Sequence, residues 1–394
     1  MRFTYKHTIY ASFTGYIVQA IINNFVPLLF LTFHSSYGIP LTKITLLVTV
    51  NFGFQLLVDM LAAGLADRIG YRVSIVSAHV FAAAGLIAMT FLPGLFIDPF
   101  HGLLIAVMIY AVGGGLLEVL VSPIVEACPT DNKESVMSLL HSFYCWGHVG
   151  VVLLSTLFFV VAGIENWRWL ALLWALIPLL NALFFTRVPI RHLIEHNARS
   201  FSFKELLTHK TFWIMILLMV AAGASEQAVS QWASAFAEGA LGISKSVGDL
   251  AGPMMFALMM GLSRLFFGRF GAKLRLERFM AISGLLCLAA YLIIALSPWP
   301  VINLIGCAIC GLSVGIMWPG SFSISSARIP MGGTMMFAFL ALAGDVGCAA
   351  GPTLVGMMSG VFSGDLKKGI LTAVIFPILL LVGLLLARRS RVRL

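Results

Sequence analysis

A chain of 394 residues in which 60% are hydrophobic and only 10% charged carries too little polar surface to cover a soluble globule, so the bilayer must be its solvent. The formal net charge of +9 would suit a nucleic-acid surface, but the Lys and Arg residues cluster in short segments between apolar runs, which excludes that reading. No segment between those runs is long enough for a folded catalytic domain and no nucleotide-binding motif occurs, so the chain is read as neither an enzyme nor an ATP-driven pump.

Apolar runs of roughly 20 residues, the length that crosses about 30 Å of hydrocarbon, predict twelve transmembrane helices. They fall over 8–33, 44–66, 73–92, 102–125, 135–163, 168–185, 211–237, 248–268, 279–297, 299–326, 334–361 and 369–387. Runs this long satisfy their backbone groups only as helices, so the predicted fold class is all-α. The first run is too long for a cleaved signal peptide and is read as the insertion signal itself. Over the alternating loops, nineteen of the 25 Lys and Arg residues fall on the side of both termini. The opposite side receives Lys43, Arg168, Lys245, Lys367 and Lys368, and Arg264 lies within a helix. The positive-inside rule then places both termini in the cytoplasm, as expected for a protein of the plasma (inner) membrane. The connection Thr186–Lys210 is the longest polar one and divides the chain into residues 1–185, a linker over 186–210, and residues 211–394.

Polar residues inside the runs mark the candidate pathway, because a charge at mid-membrane costs about 3 kcal/mol even on the lenient insertion scale. In the first helix Gln19 and Asn23 are four residues apart, with Asn24 beside them. Asp59 lies in the second helix and Glu118 in the fourth. The fifth carries His141 and His148 on one face, with Trp146 between them. In the seventh, Glu226, Gln227, Ser230 and Gln231 form a stripe at helical spacing. The eighth contains Arg264 and the eleventh contains Asp345 between Gly344 and Gly347. The amide stripes suit hydroxyl recognition, with interhelical hydrogen bonding as the alternative. Trp146, Trp232 and Trp318 are candidates for stacking on a sugar ring, with helix packing equally open. Asp59 and Arg264, near the cytoplasmic ends of their helices, are read as gate or pairing residues. Glycine and proline at Gly113, Gly114, Gly115, Pro123, Gly315, Pro319, Gly351 and Pro352 are expected to supply bends. The six cysteines have no spacing for a disulfide framework or a zinc site and are read as small buried residues; no metal site is expected.

Internal repeats tie the two halves together. Gly115 to Pro123 in the fourth helix matches Gly311 to Pro319 in the tenth, and Gly147 to Gly150 matches Gly344 to Gly347. Gly15 precedes Gln19-Ala20 as Gly223 precedes Gln227-Ala228. A loop pair, Asp67 to Arg72 and Arg269 to Lys273, follows the second and eighth helices. Duplicated bundles of this kind carry their substrate site at the repeat interface.

The string Ala63 to Arg72 resembles the signature loop of the major facilitator superfamily, with Ala63 and Tyr71 departing from its usual glycine and basic residue. That resemblance implies two pseudo-symmetric six-helix bundles and a gating role for Asp67, Arg68, Gly70 and Arg72, with Asp67 held against a neighbouring helix end. Within the superfamily, four strings are similar to the fucose, galactose and glucose proton symporter branch. They are Glu118 with Pro123, Leu140-His141-Ser142-Phe143, Gly223 to Trp232, and Trp318-Pro319; Ser122 replaces that branch's Asn, and Asn23 stands where it keeps an acid. The branch implies proton-coupled import of a neutral sugar or polyol, with the proton gradient as driving force and no cofactor. Glu118 is the first candidate for proton coupling, with Asp345 and His148 as possible relay members. A proton-antiport exporter of drugs or metabolites and a transport-inactive receptor stay open. The expected partners are a small-molecule substrate and the lipid bilayer, with the protein as a monomer.

Overall fold

In the computed structural model of the chain, twelve helices are long and apolar enough to cross a membrane. They are α1 Tyr5–Tyr37, α2 Leu41–Leu61, α3 Tyr71–Gly94, α4 Pro99–Glu126, α5 Leu139–Ala162 and α6 Ile164–Arg187 in the first half. The second half holds α7 Lys210–Ala240, α8 Lys245–Phe267, α9 Leu276–Leu296, α10 Pro300–Arg328, α11 Met335–Val361 and α12 Leu366–Arg389. The structure describes residues 3–130, 133–191, 201, 203–270 and 274–389, with the side chains of 62–68, 133–135, 138, 203, 268, 269, 333 and 334 outside that description. Among the described residues there is no strand, so the all-α class predicted from hydropathy holds. All six cysteines are buried, and none of them is joined in a disulfide.

Hydropathy locates the helices but not their interruptions, which have local causes. Pro27 lacks an N–H, and the chain tightens into a 3₁₀ turn over Val26–Leu29 before resuming as helix over Phe30–Tyr37. α7 ends in a π-helical turn over Phe236–Ala240, and α8 widens into another over Leu250–Met254 around Pro253. α10 divides into Pro300–Val314 and Met317–Arg328. Pro319 cannot donate to the carbonyl four residues back, which is that of Gly315, and the break falls at that residue. Across Gly113, Gly114 and Gly115, α4 is one continuous helix.

Those glycines serve close packing. A Cβ on Gly115 would fall 2.7 Å from the backbone oxygen of Gln55 in α2, and one on Gly311, its repeat mate, would overlap that of Phe256 in α8. Only a residue without a side chain permits either approach. In α11, a Cβ on Gly347 would overlap the Val220 carbonyl of α7.

The chain folds as two compact units, Met1–Glu195 with Lys245–Leu250, and His196–Ser244 with Ala251–Leu394. The packing scheme inside each is the same. In the first, α1 packs on α5, α2 on α4, and α3 on α4 and α6; in the second, α7 packs on α11, α8 on α10, and α9 on α10 and α12. The repeat seen in short strings therefore extends to the helix packing of both six-helix bundles.

Neutral polar bridges fix the helices within each unit. Asn181 of α6 donates to the Ala11 carbonyl of α1 at 3.0 Å and to His79 Nε2 of α3 at 2.7 Å, which leaves His79 Nδ1 as the donor to the Ile75 carbonyl. In the second unit, the Tyr291 hydroxyl of α9 donates to the Ser225 carbonyl of α7 at 2.7 Å. The linker is not a bare polar connection. It contains a short helix, Phe203–Thr208, whose Leu207 carbonyl accepts from the Trp213 indole of α7, while the Phe201 amide donates to the Met331 carbonyl.

Candidate functional site

The close approach of α2 to α4 at Gly115 brings three helices of the first unit into one buried polar array. Gln19 Nε2 of α1 donates to Gln55 Oε1 at 2.9 Å and to Glu118 Oε2 at 3.4 Å. Gln55 Nε2 in turn donates to Asn23 Oδ1 at 2.9 Å and to Asn51 Oδ1 at 2.8 Å. Asn51 Nδ2 donates to the same Asn23 oxygen at 3.1 Å. Four amides thus connect to one half-buried carboxyl, Glu118. Asn23 Oδ1 accepts two N–H groups, the part an acid would play at this place, and does so without adding a charge.

Gln55 and Asn51 are not among the residues singled out from sequence. Their signal was present: Asn51, Gln55 and Asp59 stand at i, i+4 and i+8, the same single-face spacing used for Gln19 and Asn23 in α1. Asp59 is buried one turn beyond Gln55, where a Cβ on Gly115 would fall 2.9 Å from its Oδ1.

The other predicted residues of this unit take different places. Asn24 is turned from the array, donating to the Ala20 carbonyl at 3.0 Å and to the Tyr144 hydroxyl at 3.4 Å. His141 and His148 do not share an environment, as the seven-residue spacing had suggested. His141 is exposed, with its ring 5.3 Å from that of Tyr16, whereas His148 is buried beside Gly147, where α5 meets α1. Trp146 is half-buried on α5. In the signature loop, the side chains of Asp67 and Arg68 lie outside the described residues. Gly70 has φ +90° and leads the chain into α3. Arg72 donates from Nη1 to the Phe185 and Thr186 carbonyls at 2.7 and 2.8 Å, and so caps the C-terminal end of α6 within its own unit.

The second unit carries a charged counterpart. Gln231 Nε2 donates to Gln227 Oε1 at 3.0 Å, and Gln227 Nε2 to Glu226 Oε1 at 3.1 Å, so the stripe predicted on α7 is a connected chain. Its end is an ion pair: Arg264 Nη2 of α8 lies 3.8 Å from Glu226 Oε2. Arg264 Nε also donates to the Gly315 carbonyl at 3.2 Å, the acceptor that Pro319 leaves unbonded in α10. Arg264, read from sequence as a gate or pairing residue, is thus part of the Glu226 cluster, joining α7, α8 and α10.

Trp232 is fully buried and its indole donates to the Pro352 carbonyl of α11 at 2.9 Å, which makes it an interhelix peg, the packing alternative to a stacking surface. Trp318 packs so closely over Gly344 that a Cβ there would overlap its ring, and Asp345 is buried next to that contact. A further buried acid, Asp249, escaped the sequence reading; Lys245 one turn earlier in α8 lies 3.0 Å from its carboxylate. Outside the spans, Lys43 donates to Asp98 at 2.9 Å and the Phe100 amide donates to it at 3.0 Å as an N-cap of α4. The Lys43 bond first, and the amide second, hold the Asp98 carboxyl below the usual carboxylate range.

Similar folds occur among solved transporters. A bacterial homolog of the human lysosomal transporter Spinster, in an inward-facing and occupied conformation, aligns with TM-score 0.78 and 17% identity, covering 98% of this chain and 97% of that one. A D-xylose-proton symporter aligns with TM-score 0.76 and 13% identity over 97% and 96% of the two chains. The fucose:proton symporter FucP of E. coli aligns with TM-score 0.66 and 16% identity over 98% and 99%. At these identities the likeness is one of fold. No curated protein sequence matches the chain significantly. The sequence pattern of the Major Facilitator Superfamily, however, matches residues 9–352, and with twelve apolar helices in two alike bundles the chain belongs to that family as an integral membrane transporter.

Proposed function

We propose that the protein is a secondary active transporter that imports a neutral sugar or polyol together with a proton by alternating access. The observation that carries this reading is the Gln19, Asn23, Asn51 and Gln55 array ending on Glu118. Amides offer donors and acceptors in equal measure and no net charge, which matches a polyhydroxylated solute and disfavours an anion. Glu118 is the coupling group of this proposal, because a neutral amide joins it to the array, whereas Glu226 faces the Arg264 guanidinium. The xylose-proton and fucose:proton symporters among the structural neighbours support a sugar and a proton. The protein is proposed to work as a monomer in the plasma (inner) membrane with both termini cytoplasmic, following the distribution of its basic residues.

Uptake into proteoliposomes under an imposed pH gradient tests this. The wild type is expected to concentrate one member of a panel of monosaccharides, disaccharides and polyols, and Glu118→Gln to keep exchange of that solute while losing accumulation. Accumulation by Glu118→Gln would remove Glu118 from coupling. Proton-driven extrusion of apolar cations would replace the importer by the exporter, and binding without flux would favour the receptor.

A further inference from the structure

On the second unit, α9, α10 and α12 line a cleft of about 750 Å³. Its mouth is basic. Arg275 and Arg278 open α9, Arg328 closes α10 and Arg388 lies at the end of α12, so four arginines line the cleft from the ends of three helices. The acid among the lining residues is Glu277, and Arg328 already engages it at 2.5 Å while also donating to the Ala387 carbonyl. Four positive charges against one negative leave a net +3 at the mouth.

Below the mouth the walls are apolar. Leu285 lies seven residues into α9 from Arg278, and Leu381 seven residues back along α12 from Arg388, which places both about 10 Å deeper. Leu285 and Leu385 are 58% and 60% exposed, the state of side chains that face acyl chains. A cationic rim over a greasy slot at the end of transmembrane helices matches one chemistry, a phosphodiester headgroup with its acyl chain running along the helices.

We propose that this cleft is a binding site for an anionic phospholipid, with the phosphate held by Arg278, Arg388 and Arg275 and an acyl chain lying against Leu285, Leu381 and Leu385. A zwitterionic lipid lacks a partner for its ammonium group here, because Glu277 is committed to Arg328. A water-soluble anion leaves the apolar slot unused. Basic residues placed only to orient the chain in the membrane would require neither a shared cleft nor a wall of leucines beneath it. The site would anchor the ends of three helices to one leaflet of the bilayer.

The test uses the full-length protein, stripped of lipid in detergent, and follows its melting temperature while phosphatidylglycerol or phosphatidylcholine is titrated in mixed micelles. Phosphatidylglycerol is expected to raise the melting temperature saturably, and phosphatidylcholine, inorganic phosphate and glycerol 3-phosphate to leave it unmoved. Neutralising Arg278 and Arg388 together (Arg278→Gln with Arg388→Gln) is expected to raise the half-saturating phosphatidylglycerol concentration about thirtyfold, at about 1 kcal/mol for each basic residue. Arg187→Gln, which removes one positive charge at the end of α6 outside the cleft, should shift it less than about twofold. Leu285→Trp, which fills the slot and leaves each arginine in place, should also weaken the lipid effect and decides the matter if the arginine pair does not accumulate. Equal effects of the two lipids, an equal effect of soluble phosphate, loss of the response in Arg187→Gln to the same degree, or an undiminished response in Leu285→Trp would each overturn the assignment.

Discussion

Replacing Arg264 with Gln removes the cation opposite Glu226 but keeps a donor near the Gly315 carbonyl. The two side chains of the pair are 18% and 9% exposed, so the carboxylate left behind has little water to turn to. Breaking a buried pair from one side costs about 3–5 kcal/mol. The 3.8 Å separation, and the Gln227 amide that still donates to Glu226 at 3.1 Å, place Arg264→Gln at the lower end, about 3 kcal/mol. Glu226→Gln should cost less, about 1 kcal/mol, because Arg264 retains the Gly315 carbonyl and its partial exposure. With both replaced, no uncompensated charge remains, and the double variant should be more stable than Arg264→Gln alone by about 2 kcal/mol. Equilibrium unfolding in mixed detergent micelles, followed by tryptophan fluorescence in one lipid background, completes the four-cornered cycle. Additivity of the two single effects within about 0.5 kcal/mol would show that Arg264 and Glu226 do not sense one another, and the ion-pair reading would fail.

Gly115→Ala should force α2 away from α4, since the new methyl would lie 2.7 Å from the Gln55 backbone oxygen, at a cost of about 1–3 kcal/mol. Because the Gln19 to Glu118 bond is already 3.4 Å long, solute affinity is expected to fall more than stability does. Unchanged affinity in ligand-dependent melting would disconnect that helix contact from the site. At Asp98, Asn is as good an N-cap as Asp, so Asp98→Asn isolates the charge paired with Lys43. The folded carboxyl titrates below its ordinary value, so its stabilisation is complete above about pH 3.9 and is lost as pH falls further through the folded value. The melting gap between wild type and Asp98→Asn should therefore be small, constant down to mildly acid pH, and closed in strong acid. A gap that widened on acidification would contradict the sign.

Much of this architecture is legible in the sequence for a simple reason: a bilayer imposes length and apolarity on every spanning helix, and both survive averaging over about 20 residues. The π-helical turns at Phe236–Ala240 and Leu250–Met254, and the break in α10, do not survive it, because they depend on single backbone bonds. Proline signals such a break only when the partner it frees is known. That Gly315 gives its carbonyl to Arg264 required both helices to be in place. Asn51 and Gln55 failed to register for a different reason. Taken singly, a neutral amide in a membrane helix is unremarkable, and acids draw attention first; only their four-residue spacing with Asp59 marks a face. Nor does the sequence reveal that Gly113 to Gly115 lie against α2 and α3, a contact visible only in the folded unit.

The glycine contacts of α4, α10 and α11 also determine how the molecule should respond to random mutation. Where the backbone of one helix rests on that of another, there is no rotamer to adjust and no side chain to trim, so the permitted alphabet at Gly115, Gly311 and Gly347 shrinks to one letter. Lipid-facing positions such as Leu180, Leu183 and Val161 ask only for greasiness and should accept most apolar exchanges. A saturation library scored for surface expression and folding should therefore show sparse columns of intolerance at helix crossings, set in broad permissive stretches between them.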